Sequence, residues 1–370
     1  MKALQLEEWQ GFDASRFLDE FWQHTPLLIR GWLKPDALSI DQMRCAAGDG
    51  ELGSRLITGS FENLDWSVHY GPFSDDELPP LDTPWQSLLI QDMDKKYRQV
   101  DTLLDRFDFL PNWLLDDIMV SQAGPGGSVG PHVDAYDVFL VQAAGCRQWE
   151  LAANFRTDLN QDFELAILRD FKPEVSCKVE PGDVLYIPPG IAHHGVAVHN
   201  AQTWSVGLRA PSSAELLAEL AAFLSENEVR LPRLNPLKFD LARTERIDQT
   251  LLQHARRLLS QAIQLDDEAL GAWLGQTLTA YRQWSPEVED DDSEDPQPPL
   301  EFRPGTRLAW SDAGLLFVNG QQWPCPAEFA QQLCRHGCIE QWPEDPTARE
   351  VLDNLIEQGE LVAAQGRDKA

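Results

Sequence analysis

Basic residues are scarce in this chain. Thirty Lys and Arg stand against sixty Asp and Glu, a formal net charge of −30. Neutralising nucleic-acid phosphates takes a surplus of lysine and arginine, so no direct nucleic-acid partner is expected. A basic protein is the natural complement, and a field of this sign would speed its encounter; solubility or a saline habitat accounts for the acidity equally well. Long apolar runs are also missing, so no membrane span is expected. The opening MKALQLEEWQ has neither the basic n-region nor the apolar h-region of a secretory signal, which leads to the expectation of a cytoplasmic protein. Paired cysteines are absent as well: six are scattered, with no CxxC. Cys325, Cys334, His336 and Cys338 therefore lack the spacing of a zinc site. Cys45, Cys146 and Cys177 read as small buried apolar side chains. The 370 residues do supply enough chain for two or three domains and a large core without staples.

The richest stretch is Ser128 to Glu150, SVGPHVDAYDVFLVQAAGCRQWE. In a β-strand, residues two apart project to one face, so His132 and Asp134 can present an imidazole nitrogen and a carboxylate oxygen to a common point. A bare HxD is commonly a surface pair. Here a glycine-rich approach, AGPGGSVG from Ala123 to Gly130, brings backbone close. A distant segment, PGDVLYIPPGIAHHG, offers a histidine after a tight bend. Two imidazoles and one carboxylate on one face of an octahedral ion leave three positions open, the facial triad of non-haem Fe(II) oxygenases. The distal ligand is His193 or its neighbour His194; the count from the Pro-Pro-Gly bend favours His193.

Arg147 follows the Ala143-Ala144-Gly145 turn on the strand expected to run antiparallel to Val138–Val141. If it points into the barrel it needs an anion, and its planar fork matches the far carboxylate of a dicarboxylate such as 2-oxoglutarate. A surface salt bridge is the alternative.

PHVDAYDVFLVQ, the arginine after it, PGDVLYIPPGIAHHG and TWSVGLRAP together resemble the JmjC-type, cupin-fold 2-oxoglutarate oxygenases, and most closely the bacterial ribosomal-protein arginine hydroxylases. FLDEFWQHTPLLIRGW and SVHYGPF fit as well, so the resemblance covers about the first 210 residues. It implies that His132, Asp134 and His193 hold Fe(II), that Arg147 and Ser121 hold 2-oxoglutarate, and that O2 is the co-reactant. It further implies hydroxylation of an arginine side chain in a large-subunit ribosomal protein. Tyr136 and Asp137 are candidates for contacting that guanidinium, with shaping the barrel as the alternative. The family pattern has an acidic residue after the distal histidine; this chain has His194 there.

The expected fold is α+β. Residues 1–210 form a double-stranded β-helix, the cupin or JmjC barrel. Strands are expected at Leu27–Arg30, Ser54–Thr58, Trp66–Tyr70, Trp85–Ile90, Ile118–Gln122, Val138–Val141, Arg147–Leu151, Ser176–Val179, Val184–Ile187, Gly195–Val198 and Thr203–Leu208. Helices are expected at Ala14–Gln23, Ser39–Ala47 and Asp94–Phe107, and residues 154–172 read as an insertion. Residues 211–285 carry three amphipathic helices, the first opened by a Ser212-Glu215 capping box. A leftover apolar face there would favour a homodimer, and the resemblance places dimerisation in this region. Residues 286–299 belong to an acidic, proline-rich linker; SPEVEDDDSEDPQPP holds seven acids and four prolines. Residues 300–370 combine short strands, an Asn319-Gly320 hairpin turn and two helices, which resembles a winged helix. Eleven acids against six bases from Pro299 onward suit a protein contact rather than DNA.

Two rival readings remain at this point. The same three ligands suit a zinc-dependent hydrolase, against which Arg147 argues. A non-catalytic binding module could keep the barrel without the chemistry.

Overall fold

Short apolar runs separated by turn residues favour strands that bury both faces. In the computed structural model, which describes residues 4–62, 65–226, 232–234, 247–280 and 296–364, they do so in the first of two compact units. That unit is built on Met1–Ala210, and the second on Pro211–Gln283 with Thr306–Ala370.

The first unit contains β1 Glu7–Gln10, β2 Leu27–Arg30, β3 Ser54–Thr58, β4 Ser67–Tyr70, β5 Gln86–Ile90, β6 Leu115–Ala123, β7 His132–Val133, β8 Asp137–Ala144, β9 Arg147–Ala152, β10 Val175–Val179, β11 Val184–Ile187, β12 Ala192–Ala197 and β13 Ala201–Leu208. The larger sheet runs β1-β2-β11-β8-β13-β6-β5-β3-β4 and the smaller β10-β9-β12-β7. From β6 onward the chain shuttles between them. β6, β8, β11 and β13 lie in the larger sheet, while β7, β9, β10 and β12 lie in the smaller one. That alternation winds a double-stranded β-helix.

Period-two patterning sorts its side chains. Val138, Leu140, Leu185 and Ile187 from the larger sheet meet Trp149, Leu151 and Val179 from the smaller one between the sheets. Their strand neighbours Phe139, Val141, Val184 and Tyr186 turn the other way. There they join Phe17, Met43 and Phe107 from the flanking helical segments in a second core. Each fully buried side chain of this size contributes roughly 1.5–3 kcal/mol.

Several expectations shift. The helix expected over Asp94–Phe107 is broken into Met93–Lys96, Arg98–Asp101 and a 3-10 turn Thr102–Phe107, with Tyr97 extended between the first two. Hydrogen bonds to β6 hold the first piece: the Ile118 amide donates to Asp94 Oδ1 at 2.7 Å, and the Asp92 amide to Asp117 Oδ2 at 3.2 Å. Val100, Leu103 and Phe107 are buried as the periodicity implied. The first helix ends at Glu20, and Gln23, at φ +57, donates its amide to the Tyr186 hydroxyl. Cys45 is exposed rather than buried.

The glycine-rich loop before β7 packs main chain on main chain. A Cβ on Gly124 would lie 2.0 Å from the Thr83 carbonyl oxygen, and one on Gly127 2.1 Å from that of Gln86. No other residue fits in either place.

In the second unit, helices Ser213–Glu226 and Asp267–Ala280 share a cluster of Leu220, Leu224 and Trp273. Ser212 and Glu215 bond reciprocally in front of the first. Helix Gln249–Ala262 buries none of its residues, and Ile247, Leu252, Leu259 and Ile263 on and beside it are exposed. The C-terminal part has two three-stranded sheets and helices Ala327–His336 and Pro346–Glu357 around one core. Asn319 and Gly320, both at positive φ, close the two-residue hairpin between Leu315–Val318 and Gln321–Pro324. Linker residues 286–295 lie outside the described residues. No helix among the described residues is long and apolar enough to cross a membrane.

Candidate metal centre

β7 and β12 pair antiparallel, with His132 directly opposite His193 and Val133 opposite Ala192. Directly paired residues share a face, so the two imidazoles stand side by side with ring centroids 4.3 Å apart. Asp134, two residues past His132, returns to that face. Its Oδ2 is 3.5 Å from His193 Nε2 and 3.9 Å from His132 Nε2. The Gly190 amide of the Pro-Pro-Gly bend donates to the Asp134 carbonyl at 2.9 Å.

The hydrogen bonds fix the tautomers. His132 Nδ1 lies 2.9 Å from the Gly130 carbonyl, and His193 Nδ1 3.0 Å from that of Ile191. A carbonyl only accepts, so both Nδ1 atoms carry the proton and both Nε2 lone pairs aim at the Asp134 carboxylate. This arrangement orients metal-ligating histidines. Burial, with His132 second, pulls the His193 pKa down to about 4, which keeps the ring neutral. His132, Asp134 and His193 are the one group of three such side chains, among the described residues, whose ligating atoms lie within 4.8 Å of one another.

His194 projects to the opposite face of β12. Its Nδ1 is 3.6 Å from Glu150 Oε2, its ring stands near Phe61 and Phe171, and its buried Nε2 has no partner among the described residues. Residue parity, set by the register of β12 on β7, puts His193 in the cluster and leaves His194 out.

Arg147 pairs with Ala197, Trp149 with Gly195 and Leu151 with His193 along β9 and β12. These rows share one face, so the guanidinium lies on the side of the metal ligands, inside the barrel. It is 4% exposed, and neither Nε nor Nη2 has an acceptor among the described residues. Burial alone lowers its pKa to about 10, with no carboxylate holding it up. It is buried and, among the described residues, makes no surface salt bridge. Ser121, on β6, pairs with Thr203 across β13, and Thr203 with Gln142 on β8. Ser121 Oγ donates to the Thr203 carbonyl at 3.2 Å, and Thr203 Oγ1 to Gln142 Oε1 at 3.0 Å. The far end of the barrel interior is therefore polar and carries one unsatisfied cation.

At the near end, Tyr136 is 38% exposed. Burial first, then the Asp134, Asp117 and Asp116 carboxylates, raise its hydroxyl pKa. Asp137 corrects the expectation. It is buried on the helix side of β8, accepting from the Tyr186 hydroxyl and from Gln23 Nε2, so it faces away from the cluster and shapes the barrel. Asp117 was missed by the sequence reading. It is buried, and burial together with Asp94, Asp116 and Asp92 pushes its pKa up to about 7. The available signal was parity: in LDDIMVSQA, Asp117 falls on the same face as Ser121.

A barrel of two interwoven sheets with His, Asp and His at one end defines a class. Residues 102–216 match the family model described as a JmjC domain. More particularly, the chain is similar to the ribosomal protein uL16 3-hydroxylase of Escherichia coli, 37% identical over 58% of this chain and 57% of that protein. It is also similar to a probable ribosomal oxygenase of Haemophilus influenzae, 36% identical over 61% of this chain and 56% of that protein. The chain thus matches somewhat over half the length of these curated relatives. In structure it resembles the E. coli ribosomal oxygenase YcfD solved with cobalt and 2-oxoglutarate, with TM-score 0.78 and 27% identity over 95% of this chain and 98% of that one.

Proposed function

We propose that this protein is an Fe(II)- and 2-oxoglutarate-dependent hydroxylase that acts on an arginine side chain of a large-subunit ribosomal protein. The observation that carries the reading is Arg147. A buried guanidinium whose Nε and Nη2 have no acceptor among the described residues, on the face that bears the His-Asp-His cluster, is a site made for a small dianion reaching in from a metal. A zinc hydrolase would have no use for it. The E. coli ribosomal oxygenase structure carries cobalt and 2-oxoglutarate together, which supports both ligands here.

The donor set fits ferrous iron: two neutral imidazoles and one carboxylate, with Nε2 lone pairs oriented by backbone carbonyls. When bound, Fe(II) supplies the redox chemistry that couples reduction of O2 and oxidative decarboxylation of 2-oxoglutarate to insertion of oxygen into a carbon-hydrogen bond. The chain supplies placement. Arg147 would grip the distal carboxylate, with Ser121 beside it. The apolar walls Leu140, Trp149 and Leu185 keep that end of the barrel dry. Tyr136 and Asp117 would take the substrate's guanidinium. Asp117 would give up its proton as the cation arrives, because a neighbouring positive charge favours the carboxylate.

The acidic composition suits a basic ribosomal partner, and the work would be done in the cytoplasm. The exposed row Ile247, Leu252, Leu259 and Ile263 would pair two copies into a homodimer. The C-terminal strands and helices would act as a winged-helix-like protein-contact module. The decisive assay incubates the full chain with Fe(II), 2-oxoglutarate and total ribosomal proteins and locates added oxygen by mass spectrometry. Succinate formed together with one hydroxylated arginine supports the reading; no 2-oxoglutarate turnover with any ribosomal protein overturns it.

A further inference from the structure

Residues 154–172 join β9 to β10 with almost no regular pairing, one bridge between Leu159 and Leu168 apart. Long loops without sheet or helix of their own are uncommon in compact domains and tend to have a task. This one is anchored: Ile167, Leu168 and Phe171 are buried.

What they are buried against sets their role. Leu168 and Phe171 cluster with Ala152, Ala192 and Val133. Val133 sits between His132 and Asp134, and Ala192 immediately precedes His193. As cross-strand partners, Val133 and Ala192 project together from the side opposite the imidazoles. The loop therefore presses on the back of the two strands whose front carries the ligands. A second contact lies one step upstream. Gly130, at φ +79, packs under Ile167 so closely that a Cβ there would lie 3.0 Å from Ile167 Cγ1 and Cδ1. The Leu168 amide donates to the Pro131 carbonyl at 2.8 Å. Gly130 is the residue whose carbonyl receives the His132 Nδ1 proton. The loop thus holds both the backbone that orients His132 and the pair that spaces His132 from His193.

We propose that segment 154–172 is a buttress of the metal centre, with Ile167 and Leu168 as positioning residues whose packing sets metal affinity. The proposal rests on the reading of His132, Asp134 and His193 as metal ligands. Supporting contacts behind metal ligands typically change affinity 10–100-fold when lost. Coupling between two sites is reciprocal, so a bound ion should in turn hold the loop down.

The test titrates Mn2+ into the metal-free full chain and follows hydrogen exchange of residues 154–172 with and without the ion. Leu168→Ala and Ile167→Ala should each raise the Mn2+ dissociation constant roughly tenfold or more. Leu168→Met, which refills the volume, should bring it back, and in the wild-type chain Mn2+ should slow exchange in the loop. The inference is overturned if the variants lose thermal stability while binding Mn2+ like wild type, or if exchange in the loop ignores the ion. Should Leu168→Ala fail to fold, Ile167→Val and the wild-type exchange measurement still decide the matter. A wild-type chain that binds no Mn2+ at all would sink the metal reading itself, a different result from variants that bind equally well.

Discussion

Replacing Arg147 with methionine should do two opposite things. The guanidinium is buried with Nε and Nη2 unpaired, and its pKa falls from the usual 12.5 to about 10 through burial alone. A depression of that size corresponds to about 3 kcal/mol of penalty on the charged form. Methionine has similar length and no charge, so the ligand-free protein should become more stable by up to that amount, read as a rise of a few degrees in its thermal midpoint. Cosubstrate binding should collapse. Two charge-assisted hydrogen bonds at roughly 1.5–3 kcal/mol each translate into a loss of about two to four orders of magnitude in 2-oxoglutarate affinity. Calorimetric titration of 2-oxoglutarate into the Mn2+-loaded protein measures it. The reasoning fails if the variant keeps wild-type affinity. It fails equally if the ligand-free variant is destabilised by about 3–5 kcal/mol, the signature of a broken buried pair.

Three further outcomes follow from the geometry. Folded Asp117 titrates near 7 against an ordinary 3.8; it therefore stabilises the fold below its unfolded pKa, and that contribution, about 4 kcal/mol at most, is lost as pH rises from roughly 4 to 7. Asp117→Asn should remove this slope from denaturant unfolding and raise KM for a basic peptide substrate, and an unchanged slope would show the carboxyl ionised throughout. His193→Ala should abolish Mn2+ binding, whereas His194→Ala should leave it intact; the reverse result would shift the strand register by one residue. Leu259, 69% exposed, should tolerate Leu259→Glu without loss of fold while sedimentation moves from dimer to monomer, and a variant as dimeric as wild type would rule out this helix as the contact.

Much of the centre could be read from the chain because a strand has period two. His132 and Asp134 share a face by spacing alone. A single apolar strand flanked by turn residues marks where the third ligand arises. Between His193 and His194 the count from the Pro-Pro-Gly bend favours His193, and the register of β12 on β7 puts that residue in the cluster. Asp137 was a candidate through the resemblance alone: five residues from His132 it has the opposite parity, and β8 turns it to the helix side, where it accepts from Tyr186 and Gln23. The break in the Asp94–Phe107 helix falls at the extended Tyr97, after a piece tied to β6 by the Ile118 amide donating to Asp94 and the Asp92 amide donating to Asp117, tertiary contacts that periodicity does not carry. Segment 154–172 has no period to read, and its role depends on what lies beneath Ile167 and Leu168.

The loop ahead of His132 holds Gly124 and Gly127 against the carbonyls of Thr83 and Gln86, with no room for a methyl between. Peptide oxygens cannot swing aside as a side chain can, so even alanine at either place would have to displace the start of β5 as a rigid piece. β5 carries Leu89 directly beside Ser121, and the insult would surface at the opposite end of the cavity from the ligands it precedes. Mutations in this short stretch should therefore be expressed first as a loosened grip on the organic acid, with the ion still seated.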